Sequence, residues 1–284
     1  MKFTKYHGLG NDYIVIHPKE LQKELTSRDI LQICHRNYGV GSDGILLGPL
    51  PSSNCDFRLR IFNPDGGEAE KSGNGLRIFC RYLFDLGVVK NAPFSVETLG
   101  GNVQGQVHDN GKMITVEMGS VSFDSTKIPV RGGQREVINE KMTVDGVELT
   151  YCAATIGNPH CVILRDEISP EDAKRFGPFI ETDPCFPNRT NVQFMKVLDR
   201  ANIQLEIWER GAGYTLASGS SSSAAASVAH KLGLCDNNIT VHMPGGTLQI
   251  TIHDDFMITL TGAVTPVCEG VIYPDVLTQE LQRI

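Results

Sequence analysis

Two stretches decide the fold of this chain: VETLGGNVQGQVHD at residues 96–109 and VHMPGGTLQITIHD at residues 241–254. They lie 145 positions apart, and each runs on into Met-Ile-Thr, at 113–115 and 257–259. In both, a glycine pair (Gly100-Gly101 and Gly245-Gly246) separates alternating apolar runs, which reads as strand, tight turn, strand. Self-similarity over this distance marks an internal repeat.

Working outward, the match continues. LRIFN at 59–63 aligns with LEIWE at 205–209, and Ser72-Gly73 aligns with Ser218-Gly219. Each Ser-Gly opens a helix-compatible run, which predicts helices over 74–86 and 220–232, with Gly87 and Gly233 as their C-caps. LGN at 9–11 echoes IGN at 156–158. The chain therefore reads as two copies of one unit. The N-terminal half is expected over residues 1–120, with 265–284 packing back on it, and the C-terminal half over 121–264. Alternating strands favour α+β halves that are mostly antiparallel over a doubly wound parallel sheet, whose strands would be continuously apolar. Halves of this kind can face each other across a pseudo-two-fold, with equivalent loops on opposite sides of one cleft suited to a small ligand.

Composition narrows the function. The 284 residues carry 26 Lys+Arg against 33 Asp+Glu, a net charge of -7, with no basic run to match a phosphate backbone. At 40% hydrophobic and 21% charged the chain is ordinary globular material, long enough for two domains. No apolar stretch approaches the ~20 residues of a membrane span, and MKFTKYHG at 1–8 lacks the apolar run of a secretory signal. A cytoplasmic protein without nucleic-acid or membrane partners is expected. Its eight cysteines are scattered with no Cys-x-x-Cys pair, and its eight histidines show no ligand spacing, so buried reduced thiols and no metal are expected.

The paired loops point to anion binding. A helix N-terminus offers unpaired N–H groups and the positive end of the macrodipole. Either Ser72 or Ser218 alone reads as an ordinary N-cap. As a symmetric pair, with Asn63 and Glu209 at equal distances upstream, they read as a site. Asn11, Asn63, Asn158, His160, Asn191, Glu209 and Arg210 all fall in turn-rich segments. One guanidinium to clamp a carboxylate, one carboxylate to accept from an ammonium, and several amides would suit a zwitterion.

KYHGLGND (5–12), FNPDG (62–66), GNG (73–75), GNPHC (157–161), FPNRTNV (186–192) and WERGAG (208–213) together resemble the diaminopimelate epimerase family, in order, from about residue 3 to 275. The resemblance implies pseudo-symmetric halves, each an eight-stranded, mostly antiparallel β-barrel around a central helix. It implies a homodimeric isomerase, free of pyridoxal phosphate or any other cofactor, that interconverts LL- and meso-diaminopimelate for lysine and peptidoglycan synthesis. In that family two cysteines, one on each face of the α-carbon, act as thiolate base and thiol acid. Their positions here are Ser72 and Ser218, with His160 and Glu209 as modulators. The substrate-binding set it implies is Asn11, Asn63, Gly73, Asn74, Asn158, Asn191, Glu209, Arg210, Gly219 and Ser220. A hydroxyl is far less acidic than a thiol, so the serine pair departs from the family chemistry. An engineered double substitution, a natural divergent member and a binding protein without catalysis all fit. A second departure is Tyr214, where the family often has an acidic or small residue. A racemase of a related amino acid on the same fold is the alternative enzyme.

Overall fold

The computed structural model describes residues 1–278; residues 279–284, the end of the segment expected to pack back on the N-terminal half, lie outside them. The chain divides into two compact units, Met1–Val116 with the described residues from Gly262 onward, and Glu117–Thr261.

Unit 1 runs β1 (Lys2–Gly8), β2 (Asn11–Ile16), α1 (Ser27–Cys34), β3 (Ile45–Leu50), β4 (Phe57–Phe62), β5 (Glu68–Ala69), α2 (Gly73–Asp85), β6 (Phe94–Thr98), β7 (Gly101–His108) and into β8 (Met113–Ser120). Unit 2 runs β9 (Glu140–Val144), β10 (Val147–Thr155), β11 (Pro159–Leu164), α3 (Pro170–Glu181), β12 (Asn191–Asp199), β13 (Asn202–Glu209), β14 (Gly213–Thr215), α4 (Gly219–Lys231), β15 (Asn238–Met243), β16 (Gly246–Ile252) and into β17 (Met257–Ala263). The chain then returns to unit 1 with β18 (Thr265–Val271) and a short α5 (Pro274–Thr278).

The two units share one topology. Unit 1 pairs β18–β1–β2–β3–β4–β6–β7–β8, and unit 2 pairs β9–β10–β11–β12–β13–β15–β16–β17. All pairs are antiparallel except β2–β3 and β4–β6, and β11–β12 and β13–β15. Parallel neighbours need a crossover, and α1, α2, α3 and α4 supply the four. Short β5 and β14 extend the pairing at the C-terminal ends of β4 and β13. Thus β18, last in sequence, takes in unit 1 the place that β9 takes in unit 2.

Local chemistry explains why these residues make these elements. Thr98↔Gly101 and Met243↔Gly246 close two-residue hairpins, and Gly101 (φ 104°) and Gly246 (φ 134°) sit where a side chain would strain the turn. The preceding glycines are tied alike, Gly100 N–H to Glu70 O and Gly245 N–H to Leu216 O, both at 2.8 Å. Gly87 and Gly233 end α2 and α4 in the left-handed region, at φ 72° and 71°. Beyond them Val88 N–H bonds Leu83 O, and Leu234 N–H bonds Ala229 O, which closes the same C-terminal motif twice.

Helix α2 is buried on nearly every side and packs on β1, β2, β3 and β7, strands from both flanks of its ribbon. Helix α4 is enclosed likewise by β10, β11, β12, β13, β15 and β16. Each unit is therefore a mostly antiparallel barrel about a central helix. The outer helices make a second layer. Ile30 and Ile33 of α1 pack with Ile14, Ile16, Ile45 and Leu47, while Phe176 and Ile180 of α3 pack with Cys161, Ile163, Val192 and Phe194. Strand alternation then directs Tyr13 and His160 to the opposite face, the side of α2 and α4. Among the described residues no helix is long and apolar enough to cross a membrane.

Candidate active site

Ser72 caps α2 from an extended backbone (φ -141°, ψ 119°), and its Oγ accepts from Gly75 N–H at 3.0 Å. The first intrahelical bond runs from Leu76 N–H to Ser72 O, so the N–H groups of Gly73 and Asn74 precede the ladder. Ser218 caps α4 in the same conformation (φ -145°, ψ 127°), its Oγ accepting from Ser221 N–H at 3.4 Å. There Ser222 N–H bonds Ser218 O, and Gly219 and Ser220 hold the free first-turn positions. Ser72 is half-buried, whereas Ser218 is only 5% exposed.

In unit 1 the cap sits in an amide network. Asn74 Nδ2 donates to Asn11 Oδ1 (3.0 Å), and Asn11 Nδ2 donates to Asp43 Oδ2 (2.8 Å). Arg36 bridges Asp43 and Asp12, and Lys5 also reaches Asp12 (2.7 Å). Although burial pushes the Asp12 carboxyl up, hydrogen bonds from Arg36 and Lys5 outweigh it and hold the group below its usual range. Three groups not read from sequence complete the surroundings. Tyr13 Oη lies 3.2 Å from Ser72 Oγ. Arg77 is wholly buried behind the helix start, and Asp43 anchors Asn11. Asn63, by contrast, is exposed just past β4, its own N–H bonded to Gly67 O.

In unit 2 the corresponding network is neutral. His160 Nε2 pairs with Asn158 Oδ1 at 2.9 Å, and Gln193 Nε2 lies 3.1 Å from His160 Nδ1 and 3.0 Å from Ser221 Oγ. An amide nitrogen can only donate, so His160 carries its proton on Nε2. Burial, reinforced by the charge of Arg210, lowers the His160 pKa to about 3. The ring is neutral at physiological pH and both nitrogens are occupied. Gln193, invisible to motif reading, thus links His160 to the first turn of α4.

The remaining predicted residues form the adjoining loop of unit 2. Asn191 Nδ2 donates to Pro159 O (2.9 Å), and its Oδ1 accepts from Arg210 N–H (3.0 Å). The Arg210 side chain is exposed and bonds Asn188 O, while Glu209 is half-buried at the end of β13. Glu181, also unanticipated, pins the loop by accepting from Trp208 Nε1 (2.7 Å) and Gly211 N–H (3.0 Å) while pairing with Arg189. Tyr214 donates to Glu206 on the neighbouring strand. Ser221, Ser222 and Ser223 are buried, the latter two bonding back to Ser218 O and Gly219 O. All eight cysteines are free, and none lies in either cap; burial raises the Cys80 thiol to about 12.

A helix start with open N–H groups can hold a carboxylate oxygen, and a cap hydroxyl is too weak a base to take a C–H proton at neutral pH unless a neighbour activates it. Known proteins give this arrangement a setting. A family profile described as diaminopimelate epimerase matches residues 3–124 and 152–267. The diaminopimelate epimerase 2 of Nostoc sp. is 64% identical over 280 residues, covering 99% of this chain and 98% of that protein. The diaminopimelate epimerase of Desulfitobacterium hafniense is 40% identical over 284 residues, covering 98% and 100%. Among solved structures, a hydroxyproline epimerase from Agrobacterium vitis with bound trans-4-hydroxy-L-proline matches with a TM-score of 0.69 at 15% identity, over 95% of this chain and 90% of that one. At that identity the likeness is one of fold.

Proposed function

The chain belongs to the diaminopimelate epimerase family, and from that premise we propose that it is a cofactor-independent isomerase acting on LL- and meso-diaminopimelate by two-base proton transfer at the α-carbon. Ser72 and Ser218 occupy the acid–base positions. The N–H groups of Gly73, Asn74, Gly219 and Ser220 receive the reacting carboxylate. Asn11, Asn63, Asn158, Asn191, Glu209 and Arg210 recognise the rest of the amino acid. The protein works in the cytoplasm as a homodimer, at the step that supplies meso-diaminopimelate to lysine and cell-wall synthesis.

One observation carries this reading: the near full-length identity to named diaminopimelate epimerases, in a chain whose two units repeat the same capped helix start. The chemistry at the caps sets the rate. A serine hydroxyl needs a base at neutral pH, and His160 is unsuited to that task because it is neutral, enclosed and bonded at both nitrogens. His160 and Glu209 then modulate the site, and proton transfer is slow.

The serine pair also favours a second reading, a diaminopimelate binder without turnover. Exchange of the α-proton for deuterium, followed by NMR in D2O, separates the two. The parent is expected to exchange slowly or not at all, and the Ser72→Cys/Ser218→Cys form rapidly. Exchange in the cysteine form alone supports an intact site that lacks its acid–base pair. No exchange in either form, with no binding of diaminopimelate by the parent, would sink the substrate assignment.

A further inference from the structure

Arg77 breaks three local rules at once. It lies in the second turn of α2 with no exposed surface. Its side chain runs back toward the helix start, as helical side chains do. There Nη1 donates to Gly73 O at 3.1 Å and Nη2 to Asn74 Oδ1 at 2.7 Å, while Nε has no partner. No carboxylate among the described residues pairs with it. Burial lowers its pKa only to about 10, so the guanidinium stays charged at neutral pH. A cation thus sits in a low-dielectric interior, without a counter-ion, at the positive end of a helix dipole. Such violations concentrate at functional sites.

The second unit shows that the fold does not need this charge. Ser223 occupies the matching position in α4 and bonds the matching carbonyl, Gly219 O, at 2.8 Å with a neutral hydroxyl. In unit 1 the same bond comes from a guanidinium. The carbonyl it engages belongs to the peptide group whose N–H is that of Asn74, so the charge polarises that donor toward an anion. The end of β1 lies close against this guanidinium: a Cβ at Gly8 would stand 3.1 Å from Nη2.

Resting on the diaminopimelate reading above, we infer that Arg77 is a positioning residue whose missing counter-charge is supplied by a ligand carboxylate seated on the first turn of α2. It touches no substrate itself. It acts through Gly73 and Asn74, and it makes the unit 1 helix start the stronger anion holder of the two.

Titration calorimetry with meso-diaminopimelate and thermal unfolding test this on the parent, Arg77→Met and Arg77→Lys. Arg77→Met is expected to weaken binding by about tenfold or more. In Arg77→Met the relief of an uncompensated buried charge opposes the loss of the bonds to Gly73 O and Asn74 Oδ1, so the unliganded melting temperature should change little. Arg77→Lys, which keeps the charge, should recover part of the affinity. Affinity within twofold of the parent in Arg77→Met would overturn the inference. So would a lowered melting temperature with equal affinity losses in both variants, which is the signature of a purely structural arginine. If the parent binds no diaminopimelate, the substrate reading fails. The role of Arg77 is then decided by whether sodium acetate, relative to sodium chloride, raises the melting temperature of the parent but not of Arg77→Met. An equal shift in both refutes it.

Discussion

The starts of α2 and α4 share a cap serine, a following glycine and a side chain bonded back to that glycine's carbonyl. The side chains behind them differ in kind. Tyr13, Leu46, Gly75 and Arg77 surround the first, and His160, Gln193, Ser221 and Ser223 surround the second. Strand register makes these true counterparts, since Ile14 pairs with Ile45 as Cys161 pairs with Val192. Leu46 lies against Gly75 in unit 1, and Gln193 bonds Ser221 in unit 2. Backbone geometry has been kept in both copies while the electrostatics have separated. Unit 1 holds a charged network, and unit 2 a neutral one built on a single imidazole tautomer.

The largest effect should come from forcing unit 2 to carry the unit 1 side chain. Gln193→Leu removes the donor to His160 Nδ1 and Ser221 Oγ, leaving two buried polar atoms unmatched. A loss of about 3 kcal/mol in urea unfolding is expected. Adding Ser221→Gly, which completes the unit 1 pairing, should return part of that loss in a double-mutant cycle. Additive losses would mean that the amide and the hydroxyl are not one network.

How much of this was legible in the sequence follows from how local each signal is. Gly101, Gly246, Gly87 and Gly233 announce turns and caps because their backbone conformations exclude most other residues. Ser72 and Ser218 announce helix starts by the same local logic. The place of β18 beside β1 has no local signature, since only pairing across the whole chain creates it. Gln193 and Glu181 looked like ordinary polar residues, because their roles come from distant partners, His160 and Ser221, or Trp208 and Gly211. Arg77 did leave a trace: a charge set between Leu76 and Ile78, one turn ahead of the Arg81–Asp85 pair. Asn11 and Asn191 were marked as ligand contacts by their turn-rich settings and Asn74 by resemblance, and much of their bonding capacity goes to Asp43, Arg77, Pro159 O and Arg210 N–H.

A smaller effect should appear on acidification, and it belongs to unit 2. His160 has a folded pKa near 3, against an ordinary value of 6.5. Between those values the unfolded chain binds a proton that the folded chain refuses, so stability falls as pH drops through this window and is fully present above it. The cost should reach about 2 kcal/mol at pH 5. Urea unfolding of the parent and His160→Gln at pH 7 and pH 5 isolates this term from the carboxylates. The variant should lose less on acidification, whatever its stability at pH 7. Equal pH dependence would show that the imidazole is protonated in the folded protein.

The smallest expected effect is at the caps themselves, and it tests whether the two are equal in strength. Replacing an N-cap serine by alanine typically costs about 1 kcal/mol. Ser72 Oγ receives Gly75 N–H at 3.0 Å and stands 3.2 Å from Tyr13 Oη, so Ser72→Ala strips a well-formed cap and a hydroxyl partner. Ser218 Oγ receives Ser221 N–H at 3.4 Å, near the limit of a useful bond. Ser218→Ala should therefore cost less than Ser72→Ala, by a few tenths of a kcal/mol, in parallel urea titrations. Diaminopimelate affinity should change little in either variant, because the first-turn N–H groups are untouched. A larger loss of stability at Ser218 would show that its hydroxyl supports more of unit 2 than its bond length implies, and that the caps differ in the opposite sense.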